Sequence, residues 1–581
     1  MSVILGINAF HADSAACLVI DGKLTGAVAE ERLGSRIKHD SAFPVRAINY
    51  LLSNSGIRLR DVTHVAIARD THANRFAKIK YVVSHPLRSS SAVLEHLKRI
   101  KTTDNLLGNL AAVCDEDPNL ATYKIIEVEH HLAHIASAYY PSPFESLTAG
   151  FSYDGSGDFV SMMAAKCNGS KIEILDRVML PNSLGFFYTA LCQFIGFEQF
   201  GEEYKVMGLA PYGDDRYRLQ MQELITADRI GWFKLNKRYF SMHDGGKSGQ
   251  LDSHGQILVD KFYSSKMQSL LGKPRIKGAP ITQREMDIAK STQIRFEEIS
   301  IACLNRLHEI VESDQLAMAG GCALNGVTNA RILRETPFKK QYLQSASSDD
   351  GTCIGAAFYV WHHVLGNAER FSMKHSFWGP EYPDSELLSV ARFSPYQLTI
   401  CSSEKQLSEE ASQLISAGLV VGWYQGRSEW GPRSLGNRSI LAHPGIPTMK
   451  DTINIKIKRR ESFRPFAPSV LKEDMNIFFE QNVDSPFMMH VVKIREEWRS
   501  KLPAVTHVDG TGRVQTVDKE SNPLFHKLIS AFKDKTGIGM VLNTSFNENE
   551  PVVDTPQQAY DCFRRTDMDA LCLGRYILRK G

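Results

Sequence analysis

The chain has 581 residues, 43% hydrophobic and 23% charged, with a formal net charge of +3. That length exceeds one ordinary core and asks for two to four domains, in the composition range of a soluble globular protein. So small a charge supplies no field for nucleic acid or an anionic membrane, and no run of about eighteen apolar residues could span a bilayer.

The opening segment, Met1 to Asn8, lacks a signal-peptide pattern and reads as a first strand, Val3 to Asn8. A second strand, Ala15 to Ile20, turns at Asp21-Gly22 into a third, Thr25 to Glu30, with the polar loop His11-Ala12-Asp13-Ser14 between the first two. Further strands are expected at Val62 to Ala68, Lys124 to Val128 and Leu147 to Asp154. Strands alternating with long helical stretches make this an α/β chain. The Gly-, Ser- and His-rich stretch Ser241 to Gly255 reads as an insertion or lid. Helical periodicity over 284 to 312 leads into a strand at Gln315 to Ala319, a Gly320-Gly321 turn and a helix from near Leu324. The pattern breaks around Ala368 to Asp384, which places the main boundary there and gives domains 1–372 and 373–581. A new α/β region runs from Leu398. No internal repeat is visible. The ten cysteines are scattered without a C-x-x-C pair, which fits reduced thiols in a cytoplasmic enzyme.

Glu129-His130-His131-Leu132-Ala133-His134 carries the strongest chemical signal. On a helix, His130 and His134 share one face and reach one ion. Asp154-Gly155-Ser156-Gly157-Asp158 can bring a carboxylate from the next strand, completing a nitrogen and oxygen shell that suits iron, zinc or manganese. An isolated H-x-x-x-H is more often one satisfied core histidine and two surface residues; the acidic glycine loop shifts the balance to a metal site. Ser347-Ser348-Asp349-Asp350-Gly351 offers a second acidic pair at a strand end, where helix capping is the plainer alternative. Loops at 11–14, 154–158, 320–321 and 345–351 can each present backbone N–H groups to phosphate.

The C-terminal half is rich in phosphate-type chemistry. Glu429 to Ser439 packs Arg433 and Arg438 among glycines and hydroxyls, and Ile455 to Phe466 carries Lys456, Lys458, Arg459, Arg460 and Arg464. Guanidinium forks bind phosphate or a planar carbamoyl group bidentately. Lys456 and Arg459 read as a solvated face. For Arg464, inside Phe-Arg-Pro-Phe-Ala-Pro, a buried anion partner is the simplest explanation. Leu542 to Asn547 is an apolar strand ending in hydroxyls and amides suited to a small oxyanion.

These strings, with Ala27 to Arg32, Glu203 to Gly213 and Gly320 to Asn325, resemble over essentially the whole length the O-carbamoyltransferases of the nodulation and antibiotic-tailoring type. The resemblance implies an N-terminal TsaD-like domain, of the duplicated actin, heat-shock ATPase and sugar kinase superfamily, and a C-terminal YrdC-like α/β domain. It implies that carbamoyl phosphate and ATP, with Mg, form a carbamoyl-adenylate, from which a hydroxyl of a small-molecule acceptor, a sugar or secondary metabolite, takes the carbamoyl group. Carried over by motif, His130, His134, Asp154 and Asp349 hold Fe(II) or Zn. Arg433, Lys458, Arg464, Arg513, Asn543 and Ser545 form the carbamoyl phosphate and adenylation site, Arg433 and Lys458 acting in catalysis. Lys205, Gly320, Gly321 and Asn325 are nucleotide positions, and His11 and Lys38 lie near the transfer site, His11 as candidate general base. The segment Asn547-Glu548-Asn549-Glu550-Pro551 departs from the family in lacking a glycine before Glu-Pro, which bears on loop shape. A homodimer would be unsurprising.

Three other readings compete. A small-molecule kinase or ATPase of the superfamily leaves Arg433, Arg464 and Asn543 without a role. Carbamoyl transfer to a macromolecule calls for cysteine zinc modules or a basic stripe, which the chain lacks. A nucleotide-gated scaffold has no need of every candidate ligand type.

Overall fold

The computed structural model describes residues 1–9, 12–34, 36–84, 109–110, 112–113, 122–228, 231–241, 257 and 259–580. His11 and residues 242–255 of the expected insertion lie outside them. The chain divides into two compact units, Met1–Met373 and Lys374–Gly581.

The first unit begins with β1 (Val3–Asn8), β2 (Ala15–Ile20) and β3 (Lys23–Ala29), an antiparallel meander. Its tight turn places both Asp21 (φ 44°) and Gly22 (φ 78°) in the left-handed region, the geometry that matches hairpin twist. β4 (His64–Ile67) and β5 (Lys124–Glu127) add in parallel on the other side of β1, giving the order β3-β2-β1-β4-β5. A second meander, β6 (Thr148–Gly157), β7 (Val160–Asn168) and β8 (Lys171–Met179), is extended on the far side of β6 by the parallel strands β11 (Gln315–Ala319) and β12 (Lys340–Leu343). Its order, β12-β11-β6-β7-β8, repeats the first sheet strand for strand and direction for direction. The two-stranded ribbon β9 (Ile225–Ala227) and β10 (Phe233–Leu235) lies between β8 and β11 in sequence. The central strands are apolar on both faces, as strands covered from both sides must be: Val3, Leu5, Ile7, Leu18 and Val65 on one face and Ile4, Cys17 and Val19 on the other are all 0% exposed. The duplication is therefore structural although the sequence shows no repeat.

Helix α1 (His130–Tyr139) follows β5, and the long α2 (Gln283–Val311), opened by a Thr282/Glu285 capping box, leads into β11. After β11 comes a short 3₁₀ turn, Gly321–Leu324, so α3 starts at Gly326 and runs to Glu335, two residues later than the pattern suggests. α4 (Thr352–Tyr359) follows the Asp349 loop.

The second unit is one nine-stranded mixed sheet: β13 (Gln397–Ile400), β14 (Val421–Tyr424), β15 (Arg438–Ala442), β16 (Ala467–Leu471), β17 (His490–Lys493), β18 (Thr511–Val517), β19 (Met540–Ser545), β20 (Ala570–Leu573) and β21 (Tyr576–Arg579). They lie in the order β13-β21-β20-β14-β15-β19-β16-β18-β17. α5 (Glu404–Ser416) and α6 (Pro523–Thr536) bury Leu407, Leu414, Phe525, Leu528 and Phe532 against Trp423, Leu441, Val517 and Val541. The nine described cysteines are free, and no described helix is long and apolar enough to cross a membrane.

Candidate functional site

α1 has no side-chain cap of its own at Glu129. The Asp158 carboxylate, from the β6–β7 turn, accepts the His130 N–H at 2.9 Å and the Asp70 N–H at 2.9 Å instead. Glu129 is gripped by the Arg177 guanidinium at 3.0 and 2.8 Å and by the Asn74 amide at 2.9 Å. With the first turn so anchored, the helical period sets His134 Nε2 3.1 Å from His130 Nε2, both rings buried. Asp154 Oδ2, at the end of β6, lies 3.1 Å from His134 Nε2, and Asp349 Oδ1 lies 3.4 Å from His130 Nε2 and 3.6 Å from His134 Nε2. All four ligand atoms fall within 4.8 Å of one another. Such spacings are those between neighbouring ligands around a divalent ion with bonds of about 2.1 Å, roughly 3.0–3.4 Å. Two neutral imidazoles and two carboxylates also match a dication in charge, so the residues fit a metal. Without an ion, burial would push His134 down, but Asp154 and Asp349 outweigh it and hold the imidazole up at about 9. A metal must therefore displace that proton.

His131 faces the other way. Its ring bridges Ser152 Oγ (2.9 Å) and the Val160 carbonyl (3.0 Å), and burial together with its neighbours His130 and His134 keeps it neutral. It is the satisfied core histidine of the three.

Asp154 is fixed by backbone: Oδ1 accepts from Gly155 N–H (2.6 Å) and Oδ2 from Gly321 N–H (3.0 Å). Gly320 makes that turn with φ +99°, and a Cβ there would lie 2.2 Å from the Tyr153 carbonyl. The Gly320-Gly321 pair thus buttresses Asp154. Asn325 caps α3 through Thr328 N–H (3.1 Å) and pairs with the Gln293 amide (3.0 Å). Lys205 pairs with Glu202 at 2.6 Å above the Phe197 ring. Gly157 packs on His130, where a Cβ would stand 1.9 Å from Cδ2. Gly157→Ala is therefore expected to cost about 1–3 kcal/mol by overpacking and to lower metal content by displacing the His130 ring. Denaturation and metal analysis check this, and full metal loading would contradict it.

Lys38 is exposed. Its neighbour His39, which the sequence did not single out, joins the site: Nδ1 meets Asp13 Oδ1 at 2.7 Å, and Asp13 Oδ2 accepts from Ser348 Oγ at 2.7 Å, beside Asp349. Burial opposes the charged ring, yet Asp13, with Glu31 and Glu203, raises it from 6.5 to about 9. The folded state keeps a proton that the unfolded chain releases above its own pKa. The stabilisation is whole below pH 6.5 and lost as pH rises through 9. Solvent screens a side chain 33% exposed, so the expected advantage of the wild type over His39→Gln is about 1–2 kcal/mol at pH 6 and near zero by pH 9.5. A difference that grows with pH in denaturant titrations would refute the ion pair.

In the second unit Glu429 gathers its own loop. One carboxylate oxygen accepts the N–H groups of Leu435 (2.8 Å), Asn437 (2.9 Å) and Arg438 (3.0 Å). Arg438 is fully buried, stacks 3.7 Å above Tyr424 and donates to the Gln425 carbonyl at 2.7 Å, so it is structural. Arg433 is different. Burial and the like charges of Arg433, Arg460 and Arg464 push Arg513 well below the usual guanidinium range, which sets these three arginines around Arg513. Arg460, held by Asn454 Oδ1 (3.2 Å) and lying over Phe466, was not among the sequence candidates. Arg464 is half-buried and pairs with Glu461 at 3.7 Å. Such a cluster calls for an anionic ligand.

Lys458, 1% exposed, donates to the Ser545 carbonyl (2.5 Å) and to Asn547 Oδ1 (2.6 Å) and carbonyl (2.8 Å), tying the 454–458 turn to the end of β19. Asn543 Nδ2 meets the Ser434 carbonyl (3.1 Å), Ser469 Oγ (3.0 Å) and Gln515 Oε1 (3.1 Å). Gln515 is a further member that the sequence did not mark.

Residues 3–358 match the family model for the carbamoyltransferase N-terminus and residues 412–580 that for the carbamoyltransferase C-terminus. An uncharacterized Synechocystis protein is 38% identical over all of this chain and 97% of its own length. The nodulation protein NolNO of Sinorhizobium fredii is 36% identical over 99% of this chain and 80% of its own. The 3'-hydroxymethylcephem-O-carbamoyltransferase of Amycolatopsis lactamdurans is 36% identical over 42% of this chain and 44% of its own. Matched in both halves, the chain belongs to the carbamoyltransferase family and is an enzyme that transfers carbamoyl groups.

Proposed function

We propose that the protein is an ATP-dependent O-carbamoyltransferase that makes a carbamoyl-adenylate from carbamoyl phosphate and ATP and passes the carbamoyl group to a hydroxyl of a small-molecule acceptor. The observation that carries this reading is the grouping of Arg433, Arg460 and Arg464 around Arg513 in the second unit, on the strand whose Gln515 meets the buried amide of Asn543. Arg433, Arg460, Arg464 and Arg513 would neutralise phosphate and pyrophosphate as charge develops on the departing group. Lys458 would hold the Ser545 end of β19 in place.

Transfer is assigned to the first unit. His130, His134, Asp154 and Asp349 would hold the metal, which when bound supplies a Lewis acid toward a carbonyl oxygen. The acceptor oxygen would bond to the carbamoyl carbon as AMP leaves, its proton going to His11. The Asp13–Ser348 contact would keep the Asp349 loop beside the β1–β2 loop that carries His11. The names of relatives, a nodulation protein and a cephem O-carbamoyltransferase, favour a sugar or secondary-metabolite hydroxyl.

The purified protein supplied with ATP, carbamoyl phosphate and magnesium tests this by chromatography of the nucleotides. AMP and pyrophosphate that depend on carbamoyl phosphate are expected. ADP formed without it would replace this reading with a superfamily kinase or ATPase.

A further inference from the structure

We propose that Asn543 distinguishes a carbamoyl group from an acyl group of the same shape, and that Gln515 is a positioning residue that holds it in that role. This rests on assigning the arginine group to carbamoyl phosphate.

A chain of obligatory partners fixes the orientation of two amides. Gln515 is 3% exposed, and one end of its amide meets the Leu435 carbonyl at 2.8 Å. A carbonyl only accepts, so that end is the NH₂ and the other is Oε1. Oε1 then accepts from Ser469 Oγ (2.6 Å) and from Asn543 (3.1 Å), which turns the Asn543 NH₂ toward Gln515. The Ser434 carbonyl, at 3.1 Å, is a second obligatory acceptor for the same NH₂. Asn543 cannot flip without placing carbonyl against carbonyl. Its Oδ1 is therefore set as an acceptor, and in a side chain 1% exposed it has no partner among the described residues.

The surroundings define what would satisfy it. Ser434 adjoins Arg433, and Gln515 shares a face of β18 with Arg513 two residues away. A ligand lodged there needs anionic oxygens for the guanidiniums and an N–H donor for Asn543 Oδ1. Carbamoyl phosphate has both. Acetyl phosphate presents a methyl group, and an ionised carboxyl phosphate presents a second acceptor, so each leaves the buried oxygen unpaired or repelled.

Phosphonoacetamide and acetonylphosphonate share a phosphonate and a carbonyl and differ in NH₂ against CH₃. Their binding to the full-length protein, with inorganic phosphate as reference, is measured by calorimetry. The wild type is expected to bind phosphonoacetamide about tenfold to a hundredfold more tightly than acetonylphosphonate. Gln515→Leu removes one of the two acceptors that orient Asn543, so the preference should fall at least about threefold while phosphate affinity stays within about twofold, a split that a merely structural role would not produce. Equal affinities in the wild type overturn the proposal whether or not the variant folds, and leave the carbamoyl phosphate assignment standing. A preference unchanged in folded Gln515→Leu overturns the part given to Gln515. If neither phosphonate nor phosphate binds, the assignment beneath the proposal falls, and the proposal with it.

Discussion

His134→Ala is expected to leave a folded protein that retains less than about a tenth of the wild-type metal and still makes AMP from ATP and carbamoyl phosphate at near the wild-type rate. His134 is fully buried and its Nε2 contacts the other three residues of the cluster, His130 at 3.1 Å, Asp154 at 3.1 Å and Asp349 at 3.6 Å. Its removal leaves one imidazole and two carboxylates facing one another. Loss of an outer partner of a metal ligand already costs about tenfold to a hundredfold in affinity, and loss of the ligand itself should exceed that. Carbamoyl transfer should fall at least about a hundredfold, since a positioned electrophile contributes on that scale. Metal analysis after dialysis reads the first effect without needing the acceptor. On the proposed division of labour adenylation falls to the other unit, and it should not change by more than about threefold, far less than the loss of a positioned charge costs. Full metal content in the variant, or loss of both activities together, would sink the division of labour.

Arg513→Met should move activity and stability in opposite directions. The half-buried guanidinium lies near the like charges of Arg433, Arg460 and Arg464, and desolvation together with that repulsion disfavours its charged form. An apolar side chain of similar length relieves the repulsion. In phosphate-free buffer the variant is expected to be about 1–2 kcal/mol more stable than the wild type, as replacement of buried charges by apolar groups often is. The KM for carbamoyl phosphate should rise about a hundredfold, because a charge-assisted contact to phosphate is lost where water cannot replace it. Added pyrophosphate should stabilise the wild type more than the variant. A variant less stable in phosphate-free buffer, with KM unchanged, would show that Arg513 is structural like Arg438.

The legible parts of the chain are those whose information is local. β1, β2 and β11 were readable to the residue, because continuous apolar runs end at polar loops. The Asp21-Gly22 hairpin was readable because only a few residue types accept two left-handed positions in succession. β4 and β6 were found with shifted ends, β6 running on to Gly157 because its last residues pair with β7 and face the site rather than the core. The repeat of the first sheet by the second was not readable. Strand order is carried by burial on two faces, which many sequences satisfy, so the two halves share topology without sharing residues.

The site divides the same way. The period of a helix sufficed to pair His130 with His134, but the sheet contacts of Ser152 and Val160 are what set His131 apart as a core residue. Arg433 and Arg438 stand in one motif, and their chemical separation follows from Tyr424 and Gln425 on a neighbouring strand. Lys38 drew attention in the sequence, whereas it is His39 that meets Asp13, through a turn no periodicity describes. By itself the sequence determined which residue types were available and which lay one helical turn or one strand step apart, since those spacings are properties of the backbone alone. Only the tertiary structure decided which of them share a ligand, because Asp349 reaching His130, Ser348 reaching Asp13 and Gln515 orienting Asn543 are contacts between distant segments, set by how the sheets pair and pack.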